Sequence, residues 1–342
     1  MPEKTIAIDG MGGDRAPDSV VAGLSKFADS GYRFLVFGDE GKLRPHLDLL
    51  PSGVHCEIRH TDHVVTADME VASALRDSKK SSMGLAIQSV LSGESAAVIS
   101  SGNTGLYMAL AKILLRTMEG IARPAIASIL PGKKGPTVCL DLGANTECDV
   151  KNLVDFAIMG EAIARSAFNR EEVTVALLNI GSEEVKGSRL VKKTSEILKK
   201  FMESYVGFVE GDDFGKGSVD VIVTDGFTGN VALKTMEGTA KYLTSELKKS
   251  LDSGILARLG ACLAMPSLRR LSQKMDPRLH NGAILVGLNG VVVKSHGNSD
   301  DVGFANAVKF TMDMLNNNMF LRIRHQLKQA QQHYAFDETA IQ

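Results

Sequence analysis

The residues best suited to chemistry sit in short polar runs that follow apolar stretches. Asp9-Gly10-Met11-Gly12-Gly13-Asp14 is one, Ser101-Gly102-Asn103-Thr104-Gly105 a second and Gly143-Ala144-Asn145-Thr146 a third. Gly181-Ser182-Glu183-Glu184-Val185-Lys186-Gly187 and Asp225-Gly226-Phe227-Thr228-Gly229-Asn230 follow, and Lys294-Ser295-His296-Gly297 comes later. Glycine lets a backbone approach a ligand closely, while amide, hydroxyl and ammonium groups donate to anionic oxygen. A single loop of this kind is explained by turn formation. The first five of these loops, at the ends of strand-like runs, point to one polar cleft able to hold an anion.

Several familiar chemistries fail on spacing. Gly10-Met11-Gly12-Gly13-Asp14-Arg15 begins like a dinucleotide fingerprint, but Arg15 stands where the third glycine belongs. Gly211-Asp212-Asp213-Phe214-Gly215-Lys216-Gly217 is one residue short of a P-loop and lacks its final Ser/Thr. There is no G-x-S-x-G nucleophile elbow. His60-Thr61-Asp62-His63 offers two imidazoles at a strand end without a third ligand in view, so a solvated loop is expected there and no metal. Cys56, Cys139, Cys148 and Cys262 form no C-x-x-C pair, which reads as reduced cytosolic thiols. No organic cofactor is implied.

Elements of a definite kind must position these loops. Strand-like runs are Thr5–Asp9, Arg33–Gly38, Val54–Ile58, Ala96–Ser100, Ile126–Leu130, Thr137–Leu142, Val173–Asn179, Val219–Thr224, Ala283–Gly287 and Val291–Lys294. Helical period occupies Ser19–Phe27, Leu106–Met118, Val154–Phe168 and Val231–Leu247. The alternation predicts an α/β fold, a mostly parallel sheet with helices on both faces. No repeat or low-complexity linker interrupts the 342 residues, so residues 1–342 are expected to form a single domain.

With 39 basic and 40 acidic side chains the net charge is -1, and no general nucleic-acid surface is indicated. The start of the chain, Met1-Pro2-Glu3-Lys4, runs straight into a strand and does not read as a signal peptide. No apolar run approaches the roughly 18 residues of a membrane span. Residues 241–278 stand apart as a basic amphipathic hairpin. They carry Lys241, Lys248, Lys249, Arg258, Arg269, Arg270, Lys274 and Arg278 against Glu246, Asp252 and Asp276. Leu247, Leu251, Ile255 and Leu259 recur every four residues as one helical face, and Met265-Pro266 is expected to break the helix. Such a hairpin suits an anionic membrane surface or an acidic partner, and equally a helical pair packed on the core or on a second copy.

Taken together, these pieces resemble the bacterial phosphate acyltransferases of phospholipid synthesis. The matching residues are Asp9 to Asp14, Lys80-Ser81-Ser82-Met83, Ser101 to Gly105, Arg123-Pro124, Asp141-Leu142-Gly143-Ala144-Asn145 and Asn179-Ile180-Gly181. Lys186-Gly187, Thr224 to Asn230, Gly287-Leu288-Asn289-Gly290 and Lys294 to Gly297 complete the set, in order along nearly the whole chain. Gly10, Leu106 and His280-Asn281 depart from the family pattern. The resemblance implies a fold similar to isopropylmalate dehydrogenases and phosphate acetyltransferases, and a homodimer seated peripherally on the membrane in the cytoplasm. It also implies a reaction in which acyl-acyl-carrier-protein and inorganic phosphate give acyl phosphate.

For that reaction no covalent protein nucleophile is needed, because phosphate is anionic and a thiol of pKa about 8.5 leaves readily. The protein's part is to hold phosphate near the carbonyl and to stabilise the oxyanion. Lys294 and His296 are expected to supply positive charge and a proton for the leaving sulfur, with Asp225 orienting one of them. Asn230 joins them as a donor. Asn103, Thr104, Asn145, Lys186, Gly12, Gly13 and Ser82 are expected to contact substrate. Leu251, Ile255, Leu259, Arg258, Arg269 and Arg270 are the expected membrane or carrier-protein contacts. The readings left beside this one are a coenzyme A-dependent short-chain phosphotransacetylase, a nicotinamide dehydrogenase and a non-catalytic membrane scaffold.

Overall fold

Successive residues of the central strands are buried on opposite sides of one sheet. Ile6 and Ile8 join one apolar cluster while Ala7 joins another, and Ala97 and Ile99 are likewise separated from Val98. Both faces are thus covered, as expected for near-continuous apolar strands. The computed structural model describes residues 4–65 and 78–333.

The chain begins with β1 (Lys4–Asp9), α1 (Asp18–Leu24), β2 (Tyr32–Gly38), α2 (Glu40–Leu47) and β3 (His55–His60). It continues with α3 (Ser82–Leu91), β4 (Ala97–Ser100), α4 (Thr104–Leu115), β5 (Ala125–Leu130) and β6 (Thr137–Leu140). Next come α5 (Val150–Phe168), β7 (Val175–Leu178), α6 (Arg189–Phe201), β8 (Tyr205–Val209) and β9 (Val221–Val223). The last elements are α7 (Gly226–Leu251), α8 (Ile255–Met275), β10 (Ala283–Val286), β11 (Val291–Lys294), α9 (Asp301–Asn316) and α10 (Met319–His333).

The eleven strands form one sheet in the order β3-β2-β1-β4-β11-β10-β5-β6-β9-β7-β8. Pairing is parallel except where β10 meets β11 and β5, and where β5 meets β6. Three successive reversals leave β6, β9, β7 and β8 running opposite to β3, β2, β1, β4 and β11. The strand-end loops therefore fall into two groups, after β1, β4 and β11 and after β6, β9 and β7.

Helix α7 bridges the two groups. It starts directly after β9 and is 26 residues long, about 39 Å at 1.5 Å per residue. Its start packs tightly because Gly226 and Gly229 carry no side chain. A Cβ at Gly229 would lie 2.0 Å from the Asp141 carbonyl oxygen, and one at Gly226 2.6 Å from that of Asn145.

The helical pair α7–α8 differs from the sequence expectation in three respects. Its first helix begins at Gly226, before the helical period expected from Val231, and the basic segment from residue 241 is only its second half. Leu247 and Leu251 lie on α7 while Ile255 and Leu259 lie on α8, so these four residues do not share a helix. The period of four persisted across the Asp252-Ser253-Gly254 turn and concealed it. Helix α8 also runs through Pro266 without ending there. Pro266 is exposed, so the carbonyl that loses its partner can turn to water.

Strand β8 was not expected. It carries Gly207 and is mostly half-exposed at the sheet edge, which hides the usual apolar alternation.

Candidate active site

Asp9, the last residue of β1, is buried with both carboxylate oxygens engaged. Oδ1 accepts from Ser82 Oγ at 2.6 Å and Oδ2 from Ser100 Oγ at 2.6 Å. These bonds tie the end of β1 to the start of α3 and the end of β4. Burial raises the Asp9 pKa above the usual carboxylate value, against the lowering influence of the two hydroxyls. Gly12 and Gly13 then pass close to this anchor. A Cβ on Gly12 would sit 2.4 Å from Asp9 Oδ2 and 2.9 Å from the Gly102 nitrogen. Gly13 has φ +106° and leaves 2.9 Å between an added Cβ and that of Ser101, so glycine is required there. The Ser101 hydroxyl is buried and has no hydrogen-bond partner among the described residues.

Lys294 ends β11 beside this knot. Its ammonium is buried, donates to the Ser295 carbonyl and has no carboxylate at ion-pair distance among the described residues. Burial pushes its pKa down to about 8; Asp9 and Asp14 oppose that and Lys234 adds to it. A cation held this way, uncompensated at close range, favours arrival of an anion.

The β11 loop is locked from behind. Asn281 Oδ1 accepts from the His296 backbone N–H at 3.0 Å, and its amide donates to Ser295 Oγ, Ser299 Oγ and the Gly303 carbonyl. Strand geometry stops at Lys294, so the alternation that would turn residues two apart the same way does not carry on to His296. Lys294 points inward, while His296 is exposed and turns to α7. There its Nε2 lies 2.9 Å from Lys234 Nζ and 3.4 Å from Glu237 Oε1, and Lys234 Nζ lies 3.0 Å from Glu237 Oε2.

The second group of loops is organised around Asp141. This buried carboxylate accepts from the backbone N–H groups of Ile126, Gly143, Ala144 and Asn145 and from the Asn145 amide. Burial raises its pKa, against these bonds. Asn145 uses its amide hydrogens on the Pro124 carbonyl at 2.8 Å and Asp141 at 2.9 Å, so the amide shapes the loop and is not a free donor. Asp225 caps α7, accepting from Thr228 N–H at 2.8 Å and Thr228 Oγ at 2.7 Å. It orients the helix, whereas the residues facing His296 are Lys234 and Glu237. Asn230 is exposed, and a Cβ on Gly143 would lie 3.5 Å from its side chain.

Other expected residues are distributed as follows. Asn103 caps α4 through Leu106 N–H at 3.1 Å, and Thr104 is the first residue of that helix. Ser82 belongs to the Asp9 knot. Lys186, in the loop after β7, is half-exposed and paired with Glu183 at 2.8 Å; that carboxylate raises its pKa. Asp39, His60 and Asp62 do gather within 4.8 Å of one another, but His60 Nδ1 accepts from Glu40 N–H at 3.1 Å. The hydrogen must then sit on Nε2, the nitrogen a metal would need. Sequence reasoning missed Lys234 and Glu237. The signal was Asn230, Lys234 and Glu237 at spacings of four and three, one polar stripe along α7.

On the helical pair, Ile255, Leu256, Leu259 and Leu263 are exposed, and α7 adds exposed Tyr242 and Leu243. Leu251 is half-buried at the end of α7. Arg258 pairs with Asp252 at 2.7 Å, Arg270 with Ser267 Oγ at 3.2 Å, and Arg269 is exposed. No described helix is long and apolar enough to cross a membrane.

A buried cation beside glycine-lined turns and an unpartnered hydroxyl is the setting of an anion-using enzyme, and relatives fix which kind. The family model for "Fatty acid synthesis protein" matches residues 4–322. The phosphate acyltransferase of Rhodospirillum rubrum is 48% identical over 334 residues, 95% of either chain. This chain belongs to the phosphate acyltransferase family. That of Granulibacter bethesdensis is 50% identical over 324 residues, 93% of this chain and 88% of the relative. As a phosphate acyltransferase family member the chain is an enzyme of acyl transfer. Its fold is shared with a phosphotransacetylase from Streptococcus pyogenes, at a TM-score of 0.59 and 15% identity over 96% of this chain and 94% of that one. A branched-chain phosphotransacylase from Enterococcus faecalis V583 gives 0.57 and 14% identity over 94% and 99%.

Proposed function

We propose that this phosphate acyltransferase moves a long-chain acyl group from acyl-acyl-carrier-protein to inorganic phosphate, releasing acyl phosphate for phospholipid synthesis. The observation that carries the reading is the buried Lys294 ammonium, which lacks a carboxylate at ion-pair distance among the described residues. A phosphate dianion supplies the missing charge. Ser101 Oγ and the backbone of the Gly12–Gly13 turn are the further groups that support an anion there. An unprotonated phosphate oxygen attacks the thioester carbonyl, the C–S bond breaks, and the electron pair leaves on sulfur. The proton carried by hydrogen phosphate ends on the thiol. Asn230, at the start of the polar stripe on α7, and His296, which lies against Lys234 of that stripe, are the side chains offered to the carbonyl oxygen as its charge develops.

The exposed apolar tip of α8, with Arg258, Arg269 and Arg270 nearby, supports peripheral contact with anionic lipid in the cytoplasm. The exposed Tyr242 and Leu243 on α7 support pairing with a second copy. The test of the reaction is to incubate the protein with palmitoyl-acyl-carrier-protein and phosphate, and to look for acyl phosphate by mass spectrometry. Phosphate-dependent product, lost in Lys294→Ala, is expected. Product formed only from palmitoyl-coenzyme A would replace the proposed donor, and no product from either would end the reading.

A further inference from the structure

The contacts around His296 determine which of its nitrogens carries hydrogen. A lysine ammonium has three donors and no lone pair, so at 2.9 Å from Nε2 it can only donate. Nε2 can accept from Lys234 or donate to Glu237, but not both. The Lys234 contact lies within ordinary hydrogen-bond range, whereas the 3.4 Å separation from Glu237 Oε1 lies beyond it. The shorter contact decides. Glu237 holds Lys234 in place at 3.0 Å, one helical turn along α7. With Nε2 accepting, a neutral imidazole carries its hydrogen on Nδ1, which has no protein partner among the described residues.

We propose that Lys234 and Glu237 are positioning residues that fix the tautomer of His296, so that it meets substrate through Nδ1–H as a neutral hydrogen-bond donor. What that donor does rests on the acyl-transfer reading above; the tautomer does not. A neutral donor stabilises the thioester carbonyl oxygen as it gains charge and need not give up its proton. Protonation of the leaving sulfur by a neutral imidazole would leave an imidazolate, which is far too costly. His296 is accordingly assigned to the oxyanion, in place of the proton-donor role expected from sequence. The Asn281 clamp on its backbone N–H fits this division of labour, because it fixes the ring's origin while α7 fixes its rotation.

The test uses full-length protein labelled with nitrogen-15 at its eight histidines, studied in mildly alkaline buffer without substrate. A His296→Asn variant identifies the His296 signals. Correlations from the ring nitrogens to carbon-bound protons distinguish the two neutral forms. Nδ1–H is expected in the wild type, and return to the Nε2–H form in Lys234→Met, with the other seven histidines unchanged as the control for folding. Glu237→Gln is expected to give a mixture. In turnover, Lys234→Met is expected to lower kcat roughly tenfold to a hundredfold with little change in KM for phosphate. An Nε2–H wild type, or a tautomer unmoved in Lys234→Met, overturns the proposal. Absence of acyl phosphate from the wild-type protein would count against the reaction and leave the tautomer measurement standing.

Discussion

Replacing Lys294 by methionine is expected to make the protein more stable and inactive. The side chain is almost fully buried, and its pKa falls from 10.5 to about 8 because burial penalises the charged form. At about 1.4 kcal/mol for each tenfold change in proton affinity, that displacement is a cost of about 3 kcal/mol to the folded state. The sign follows from proton counts. Between about pH 8 and 10.5 the unfolded chain binds more protons at this site than the folded one, so wild-type stability rises with pH. Below that window both states are protonated and the whole cost is present. Methionine has a similar length and no charge, so Lys294→Met is expected to gain up to about 3 kcal/mol at pH 7 and only about 1 kcal/mol at pH 9.5. The assay is urea unfolding followed by far-UV circular dichroism, because the chain has no tryptophan. Phosphate must be left out, since an anion bound to the wild type would offset the cost. A variant less stable than wild type at pH 7, or a gain independent of pH, would refute the reasoning.

Two other substitutions probe different parts of the molecule. Gly229→Ala forces a methyl group onto the Asp141 carbonyl, 2.0 Å away, and is expected to cost about 2 kcal/mol in urea unfolding. Unchanged stability would mean that the start of α7 is not seated against that loop. Leu259→Glu is expected to weaken sedimentation with anionic liposomes about tenfold while leaving turnover on soluble substrate intact, and equal sedimentation would favour protein packing for the α8 tip.

Much of the frame was legible from the chain because it depends on local pattern. Strand β11 spans the expected residues and β1, β2 and β4 differ by one residue, since buried parallel strands show as apolar runs between glycine turns. The reversal of direction across β10, β5 and β6 was not legible, because a strand's own sequence says little about its neighbour's orientation. At the site, the residue types were readable but their employment was not. Asn103 and Asn145 look like ligand contacts in sequence and Asp225 like a partner for Lys294 or His296, yet all three side chains hold turns and helix starts together. The same hydrogen-bonding capacity serves either purpose, and only tertiary geometry chooses. Lys234 and Glu237 escaped notice because a charged stripe on a helix usually faces water.

Helix α7 also has the proportions of a lever. Its fulcrum is the close seat of Gly226 and Gly229 on the 141–145 loop. From Gly229, Lys234 is about 8 Å along the axis and the far end at Leu251 about 33 Å, at 1.5 Å per residue. If the helix pivots as a rigid rod, displacement at the tip reaches Lys234 reduced about fourfold. A swing of 2 Å at the outer end becomes roughly half an ångström beside His296, enough to lengthen a 2.9 Å contact beyond bonding range.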